Sequence, residues 1–370
     1  MNALILNVGS SSIKYVVFKG KEEIAKGNIE KIGIKGTFLR ENDKIINIGE
    51  KNFSQALDFL FKKLKGIKID IIGHRVVHGG NLKKASLINH KLLKKLKKVA
   101  ELAPLHDYPE LHVIEECKRF KIKQYAVFDT SFHQTMKEEA YTYALPYKLC
   151  KKYGIRRYGF HGESHNYVTK EVSRILNKKD LRLIILHLGN GCSISAIKNN
   201  KSVDTSMGFT PLEGLMMGTR SGSIDPSIPL FLMKHEHMDL KAINNLLNKR
   251  SGLLGISGIS RDMKELDKMK SKRAKLAVDV FVYNILKYIG SYYFVLKGVD
   301  AIAFTGGVGE HEWIIRKQIL DRLNFMSVKI DNNLNKRNSI IISSKDSKIK
   351  VFIIKTNEEK IILEKILEVI

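Results

Sequence analysis

Two arginines stand in surroundings where surface arginines are rare. Arg75 lies in GHRVVHGG and Arg220 in MMGTRSG, among His, Val, Met, Thr and Gly rather than other charged residues. A planar guanidinium grips a carboxylate or a phosphate through two parallel N–H bonds. A structural ion pair to Asp or Glu would put an arginine in the same kind of segment, so both readings stand for each. Histidines cluster in or near such segments: His74, His78, His106, His133, His161, His165 and His187. His161 and His165 are four apart, a spacing that puts both on one face of a helix. The residues between them are Gly162, Glu163 and Ser164, which is not the HExxH order of a zinc hydrolase. Hydrogen-bond donors to a phosphoryl group fit these imidazoles better than zinc ligands do.

Asp129 follows the apolar run 125–128 in FDTSFHQT. A carboxylate just past the end of a strand in an α/β sheet lies where ligands bind; capping the next segment is the structural alternative. Near the C-terminus, TNEE follows the apolar run 351–354. Thr356 and Glu359 have the T-x-x-E spacing of a capping box. That leaves Glu358 available to ligate Mg²⁺, or water bound to it, through oxygen. Phosphoryl transfer between two anions needs such a set: cations to neutralise charge, an aligned acceptor, and an acidic residue for the metal.

These residues need elements to position them. Residues 4–13 read LILNVGSSSI and residues 184–194 read IILHLGNGCSI. Each is an apolar run, one polar residue, one apolar residue, a glycine, small polar residues and a second β-like run. Each predicts a β-hairpin with a Gly/Ser/Asn-rich turn. Duplication of one fold explains the repeat; chance similarity of two glycine-turn hairpins is the other explanation. A third glycine-rich turn, TGGVGE, follows the apolar run 301–304. Glycines let a ligand approach the backbone, and consecutive N–H groups form anion-binding nests. Strands are predicted at 69–72, 125–128, 183–188 and 351–354, and helices at 91–102, 168–176, 275–296 and 357–370. The alternation is that of an α/β fold. Neither GxxxxGK[ST] nor a GxGxxG opening a strand–turn–helix occurs, which disfavours a P-loop kinase and a Rossmann dehydrogenase.

At 370 residues and 44% hydrophobic content the chain fits two domains with real cores. Residues 280–296, the most apolar stretch, are interrupted by Asn284, Lys287, Gly290 and Ser291 and predict a buried helix rather than a membrane span. Met1 leads directly into an apolar strand pattern, without the basic segment and long apolar run of a secretory signal. Cys117, Cys150 and Cys192 show no CxxC spacing; buried thiols in a reducing cytoplasm are expected. The formal charge of +26 raises nucleic acid or an anionic surface as a partner. The lysines are spread along the whole chain, with no RNP, zinc-finger or helix-turn-helix pattern beside them. A lysine-biased surface is the expected meaning.

Together these segments resemble the acetate kinase family, within the sugar kinase, heat-shock-70 and actin superfamily. The resemblance runs through LILNVGSSSIKY, GHRVVHGG, LAPLH, FDTSFHQTM, RRYGFHGESH, the long stretch HLGNGCSISAIKNNKSVDTSMGFTPLEGLMMGTRSG, SGLLGISG, FTGGVGE and TNEE. It implies a duplicated actin-like, ribonuclease H-like α/β fold, with two domains around an interdomain nucleotide cleft. The domains are expected at 1–145 plus 358–370 and at 146–357, the second carrying most of the nucleotide site. The implied reaction is reversible in-line transfer between ATP and acetate, giving ADP and acetyl phosphate, with Mg²⁺ (or Mn²⁺ in its place). A propionate kinase is the alternative within the family, and a homodimer without membrane or nucleic-acid partners is implied.

Residue by residue, the resemblance implies that Asn7 and Glu358 help hold the metal. Ser10, Ser12 and Lys14 lie by the nucleotide phosphates, with His187, Leu188, Gly189, Asn190 and Gly191. Asp262, Met263 and Lys264 surround the adenosine, with Gly307, Val308, Gly309, Glu310 and His311. Arg75 and Arg220 hold the carboxylate and the phosphoryl group, His161 stabilises transition-state charge, and Asp129 is the acidic catalytic residue that orients Arg220 or metal-bound water. Val77, Leu105, Phe160 and Pro211 form the apolar pocket for the substrate methyl. Asp107, Tyr108 and Glu110 in LAPLHDYPE, Ser223 in RSGSIDP and His311 in GVGEH depart from the family pattern. Asp107 is expected to raise the pKa of its neighbour His106.

Overall fold

The parallel strands that end at the candidate residues belong to two separate sheets. The computed structural model describes residues 1–42 and 44–370, and the side chains of these except residues 104–106. It divides into two compact units, Met1–Ser131 with Asn357–Ile370, and Phe132–Thr356.

The first unit contains β1 (Asn2–Gly9), β2 (Ser12–Lys19), β3 (Glu22–Glu30), β4 (Phe38–Glu41), β5 (Lys44–Asn47), β6 (Ile71–Val76), β7 (Ser86–Leu87) and β8 (Lys123–Phe128). They form one sheet in the order β5-β4-β3-β2-β1-β6-β8-β7. β1 and β2 are an antiparallel hairpin closed where Gly9 faces Ser12, as the LILNVGSSSI pattern predicts. β1, β6 and β8 run parallel, with Leu6 beside His74 and Val76 beside Phe128. This register brings Asn7, Arg75 and Asp129 to one edge of the sheet. Alternation of side chains across the pleat sends Leu4, Leu6 and Val8 to a core shared with Ala56, Leu57 and Leu60 of the Phe53–Lys63 helix. Ala3, Ile5 and Val127 face the other way, against Ile362, Leu363 and Ile366 of the C-terminal helix Glu358–Leu367. Gly73 lets the helix lie close there: a Cβ would sit 2.5 Å from Ile366 Cδ1 and 2.6 Å from Ile5 Cδ1, so both side chains would have to shift.

The second unit carries β9 (Arg182–Leu188), β10 (Cys192–Lys198), β11 (Lys201–Thr205), β12 (Ala301–Thr305) and β13 (Lys350–Ile353), in the order β11-β10-β9-β12-β13. β9 and β10 form the second antiparallel hairpin, and β12 runs parallel to β9, with Thr305 beside His187. Each unit therefore repeats a hairpin followed by parallel strands, which is the duplicated actin-like α/β plan. The Lys272–Leu296 helix buries Ala277, Phe281, Val282, Ile285 and Ile289. Among the described residues no helix is long and apolar enough to cross a membrane.

Three local expectations change. TGGVGE is not an open turn: Gly306–His311 is a short helix following directly on β12. The C-terminal helix is capped by Asn357, whose side chain accepts from the Lys360 N–H, and not by a Thr356–Glu359 box. Glu359 instead pairs with Lys14 at 2.9 Å. The first unit ends at Ser131 rather than near 145, because Phe132 packs on the core of Leu183 and Ile185 and His133 bonds to Ser202 and Phe160.

Ile366 is fully buried between the sheet and its own helix. Ile366→Ala should lower stability by about 2–4 kcal/mol. Urea unfolding followed by circular dichroism measures it, and a midpoint equal to the parent's would mean the C-terminal helix does not support this sheet.

Candidate active site

Arg75 emerges near the end of β6 with its side chain only 14% exposed. Its Nε and Nη2 donate to the two oxygens of Asp129, at 2.9 and 2.5 Å. Its Nη1 donates to Asn7 Oδ1 at 3.1 Å, and Glu358 lies 3.5 Å away. Burial alone would lower the guanidinium's pKa, but Asp129 and Glu358 outweigh burial and hold it well above its ordinary value. Burial pushes the Asp129 carboxyl up, and Arg75 opposes that rise. Asp129 directs both oxygens to Arg75, whereas the resemblance has it orient Arg220 or metal-bound water. The ion-pair alternative for Arg75 is thus realised at a strand edge, the place expected for ligands.

Asn7 Nδ2 donates to Glu358 Oε2 at 3.1 Å. Asn7 and Glu358, the two expected metal ligands, are therefore adjacent. Lys14 is tied to the buried Glu359. Ser12 closes the hairpin turn opposite Gly9, and Ser10 is exposed in that turn. Val77 is buried, and its N–H donates to Glu110 Oε2 at 2.9 Å. The His78 N–H donates to Asp107 Oδ1 at 3.1 Å. The side chains of Leu105 and His106 lie outside the described residues, and with them the expectations placed on both. His74 is structural: it is buried against Gln124, and burial lowers its pKa to about 4.

In the second unit, His161 precedes the Gly162–Leu176 helix with a left-handed backbone, φ 57°, a costly conformation for a residue with a Cβ. Its ring stacks on His187 with centroids 4.2 Å apart. His161 Nδ1 and His165 Nε2 both reach Ser193 Oγ, at 2.9 and 2.7 Å. A hydroxyl donates only one proton, so at least one imidazole must donate to it. Burial, with His133 and His187 adding to it, lowers the His165 pKa well below the ordinary value and keeps the ring neutral. Its Nδ1 has no partner; a buried lone pair costs less than a buried N–H there, so the proton sits on Nε2 and points at Ser193. If Ser193 in turn donates to His161 Nδ1, the His161 proton is on Nε2. A Cβ on Gly191 would lie 3.4 Å from that Nε2 and 3.6 Å from Arg220 Nη1. His161, Arg220 and the Gly191 backbone thus converge; among the described residues no group of three or more His, Cys, Asp or Glu is placed to hold a metal.

Arg220 Nη1 donates to the Pro211 carbonyl at 3.1 Å, and burial lowers its pKa. Phe160 is buried, its carbonyl bonded to His133. A cavity of about 570 Å³ is lined by Gly189, Asn190, Asp262, Met263, Lys264, Gly307, Val308 and His311, all expected near the nucleotide. Leu253, Arg261, Phe281 and Glu312 also line it; the sequence reading misses them, since an arginine in SRDM and apolar helix residues carry no local signal. Leu188, Gly309 and Glu310 do not line it. Leu188 is a buried strand residue, and Gly309 packs against Leu186 and Phe304. Glu310 turns inward, accepting from the N–H groups of Gly306 and Thr356 at 3.0 and 3.2 Å. Of the sequence departures, His311 lines the cavity and Ser223 accepts from the Gly214 N–H at 3.0 Å.

The acetokinase family model matches residues 2–364. An acetate kinase of Halothermothrix orenii is 46% identical over 98% of both chains. The crystal structure of an acetate kinase from Porphyromonas gingivalis superposes with a TM-score of 0.90 at 39% identity, covering 100% of this chain and 99% of that one. A propionate kinase from Francisella tularensis superposes with a TM-score of 0.93 at 40% identity over 98% of each.

Glu310 separates a structural from a ligand-binding role. Glu310→Ala should cost about 1–3 kcal/mol by stranding buried N–H groups, and Glu310→Gln less, because it keeps an acceptor. Unfolding by urea checks this; unchanged stability with a raised KM for ATP would return Glu310 to the nucleotide.

Proposed function

The chain belongs to the acetokinase family, and on that premise we propose that it transfers a phosphoryl group reversibly between ATP and acetate, forming acetyl phosphate and ADP. An acetate oxygen bonds to the γ-phosphorus as the bond to the β,γ-bridging oxygen breaks, and ADP leaves with that oxygen. Acetate is ionised at neutral pH, since carboxyl groups titrate near ~4, so no general base is needed. The observation that carries the reading is the convergence of Arg220, the His161 imidazole and the Gly191 backbone. These are donors fixed in advance where a phosphoryl group gathers charge.

Arg75 holds the carboxylate end of the reaction. Asp129 keeps it extended and charged without abstracting a proton. Val77 in the first unit, and Phe160 and Pro211 in the second, are the apolar residues that the family resemblance assigns to the methyl. The 570 Å³ cavity suits a nucleoside, with Asp262, Met263 and Lys264 on one side and Gly307 and Val308 on the other. Asn7 and Glu358 are hard oxygen donors, few in number, which is how Mg²⁺ is held when phosphates and waters complete its shell. They fit that ion, and Mg²⁺ when bound neutralises charge on the nucleotide phosphates. The three thiols are buried and unbridged, which supports a reducing cytoplasm. Exposed Tyr283, Phe294 and Val295 on the Lys272–Leu296 helix support a homodimer.

Propionate is the second reading, favoured by the superposition on a propionate kinase. One methylene changes discrimination by only about 1–3 kcal/mol. Hydroxamate trapping of the acyl phosphate should give a higher kcat/KM for acetate than for propionate or butyrate; equal or better use of propionate overturns the acetate assignment. Arg75→Ala and Arg220→Ala should each lower kcat/KM by roughly 10³–10⁵-fold, the scale of an arginine that stabilises phosphoryl transfer. Near-parental activity of either variant removes that arginine from the site.

A further inference from the structure

Asp107 and Glu110 are three apart on the Pro104–Cys117 helix and so share one face. Each is only 1% exposed. Each spends one oxygen on the backbone that carries Val77: Glu110 Oε2 accepts from the Val77 N–H and Asp107 Oδ1 from the His78 N–H. The other two oxygens, Asp107 Oδ2 and Glu110 Oε1, meet no donor, yet the two side chains lie within hydrogen-bond reach of one another. Two facing carboxylates, both buried and both acceptors, repel; one proton between them turns repulsion into a hydrogen bond.

We propose that Asp107 and Glu110 hold a single proton between them, that the protonated pair positions the backbone of Val77 and His78 beside Arg75, and that losing this proton weakens binding of the carboxylate substrate. The inference rests on the reading of Val77 and Arg75 as substrate-binding residues. The pair acts through the backbone and through charge, so both members are positioning residues.

Among the described residues, Arg75 on β6 attracts the pair and Asp129 after β8 repels it; the peptide N–H groups of Val77 and His78 donate to it, and the imidazole of His78 is the titratable group on that segment. Burial pushes the Asp107 carboxyl up to about 8, and burial with Asp107 beside it pushes Glu110 well above its ordinary value. The sign follows. Both shifts are upward, so the pair still holds a proton at neutral pH and loses it on the alkaline side. Loss adds a second negative charge to a site that already holds Asp129 and Glu358 and must admit an anion. Acetate stays ionised throughout this range, so its own titration contributes nothing.

The test is the KM for acetate from about pH 6.5 to about pH 9.5, measured by acyl-phosphate trapping. The parent enzyme should show KM rising towards tenfold per pH unit above the titration, with kcat changing less. Asp107→Asn places an amide N–H where the proton sits and keeps an oxygen for His78, so its KM should lose the alkaline rise. Asp107→Ala loses the anchor and should raise KM at every pH. A flat parental profile, or an Asp107→Asn profile that still rises like the parent's, overturns the proposal. Infrared spectra give a readout independent of activity and need only the parent protein: a protonated-carboxyl stretch at neutral pH should vanish across the same alkaline range. Its absence at neutral pH overturns the shared proton even where a variant fails to fold. Absence of acyl phosphate at every pH would sink the kinase reading, and the infrared titration would still decide the proton.

Discussion

A guanidinium withdrawn from water must be met by negative charge and by acceptors fixed in the right plane. Removing one partner of a buried ion pair costs about 3–5 kcal/mol, so Arg75 constrains everything around it. The fork onto Asp129 requires β6 and β8 to be neighbours in a definite register, and the bond to Asn7 requires β1 on the other side. Glu358 comes from the far end of the chain, carried in by a helix anchored through Ile362 and Ile366. The hydrophobic core of the first unit therefore does positional work: it sets where four polar side chains can meet. Asp129, Glu358 and the Asp107–Glu110 pair leave this edge with more negative groups than Arg75 balances, a setting that suits a cation.

On the proposed reading the second unit meets anions differently. Beside Arg220, its proposed donors are largely neutral or made of backbone: the turn at Gly189, Asn190 and Gly191, the imidazole of His161, and the peptide groups beside Gly307. Such donors need their protons aimed. The chain from His165 through Ser193 to His161 ties both imidazoles to one hydroxyl and so fixes their rings relative to each other. The left-handed backbone at His161 is strain held in place by the stack on His187 and by the helix that follows. Glu310 makes the same point in reverse. It stands in a glycine-rich segment that reads as a ligand site, yet its carboxylate is spent on holding that segment to β12 and to Thr356.

Both hairpins were legible because a glycine turn between alternating apolar runs has few other ways to fold, and the residues at their tips were legible with them. Arg75 was legible as unusual but not as paired, since nothing local in GHRVVHGG names Asp129 as its partner. That pairing depends on two strands more than fifty residues apart lying side by side. The Thr356–Glu359 box failed for a related reason. Lys14, brought near by β2, competes for Glu359, and Asn357 is free to take the cap. Arg261 and Phe281 escaped because a cavity wall assembled from separate helices leaves no spacing in the chain. The boundary expected near 145 sat too late because the apolar residue Phe132 belongs to the second core.

Asp107 and Glu110 show how a departure in sequence becomes a physical problem with a narrow set of answers. Two peptide N–H groups behind the substrate-facing residues need acceptors, because buried N–H groups are rarely left unmet. Carboxylates are the strongest acceptors available, but two of them a helical turn apart and out of water cannot both keep their charge. Moving one out of reach would abandon Val77 or His78. Pairing each with its own cation is not what surrounds them, since Arg75 is already committed to Asp129. Retaining one proton satisfies both N–H groups and both leftover oxygens at once, at a single cost: the fit of the substrate loop then depends on a titration that closely matched neutral side chains would not have.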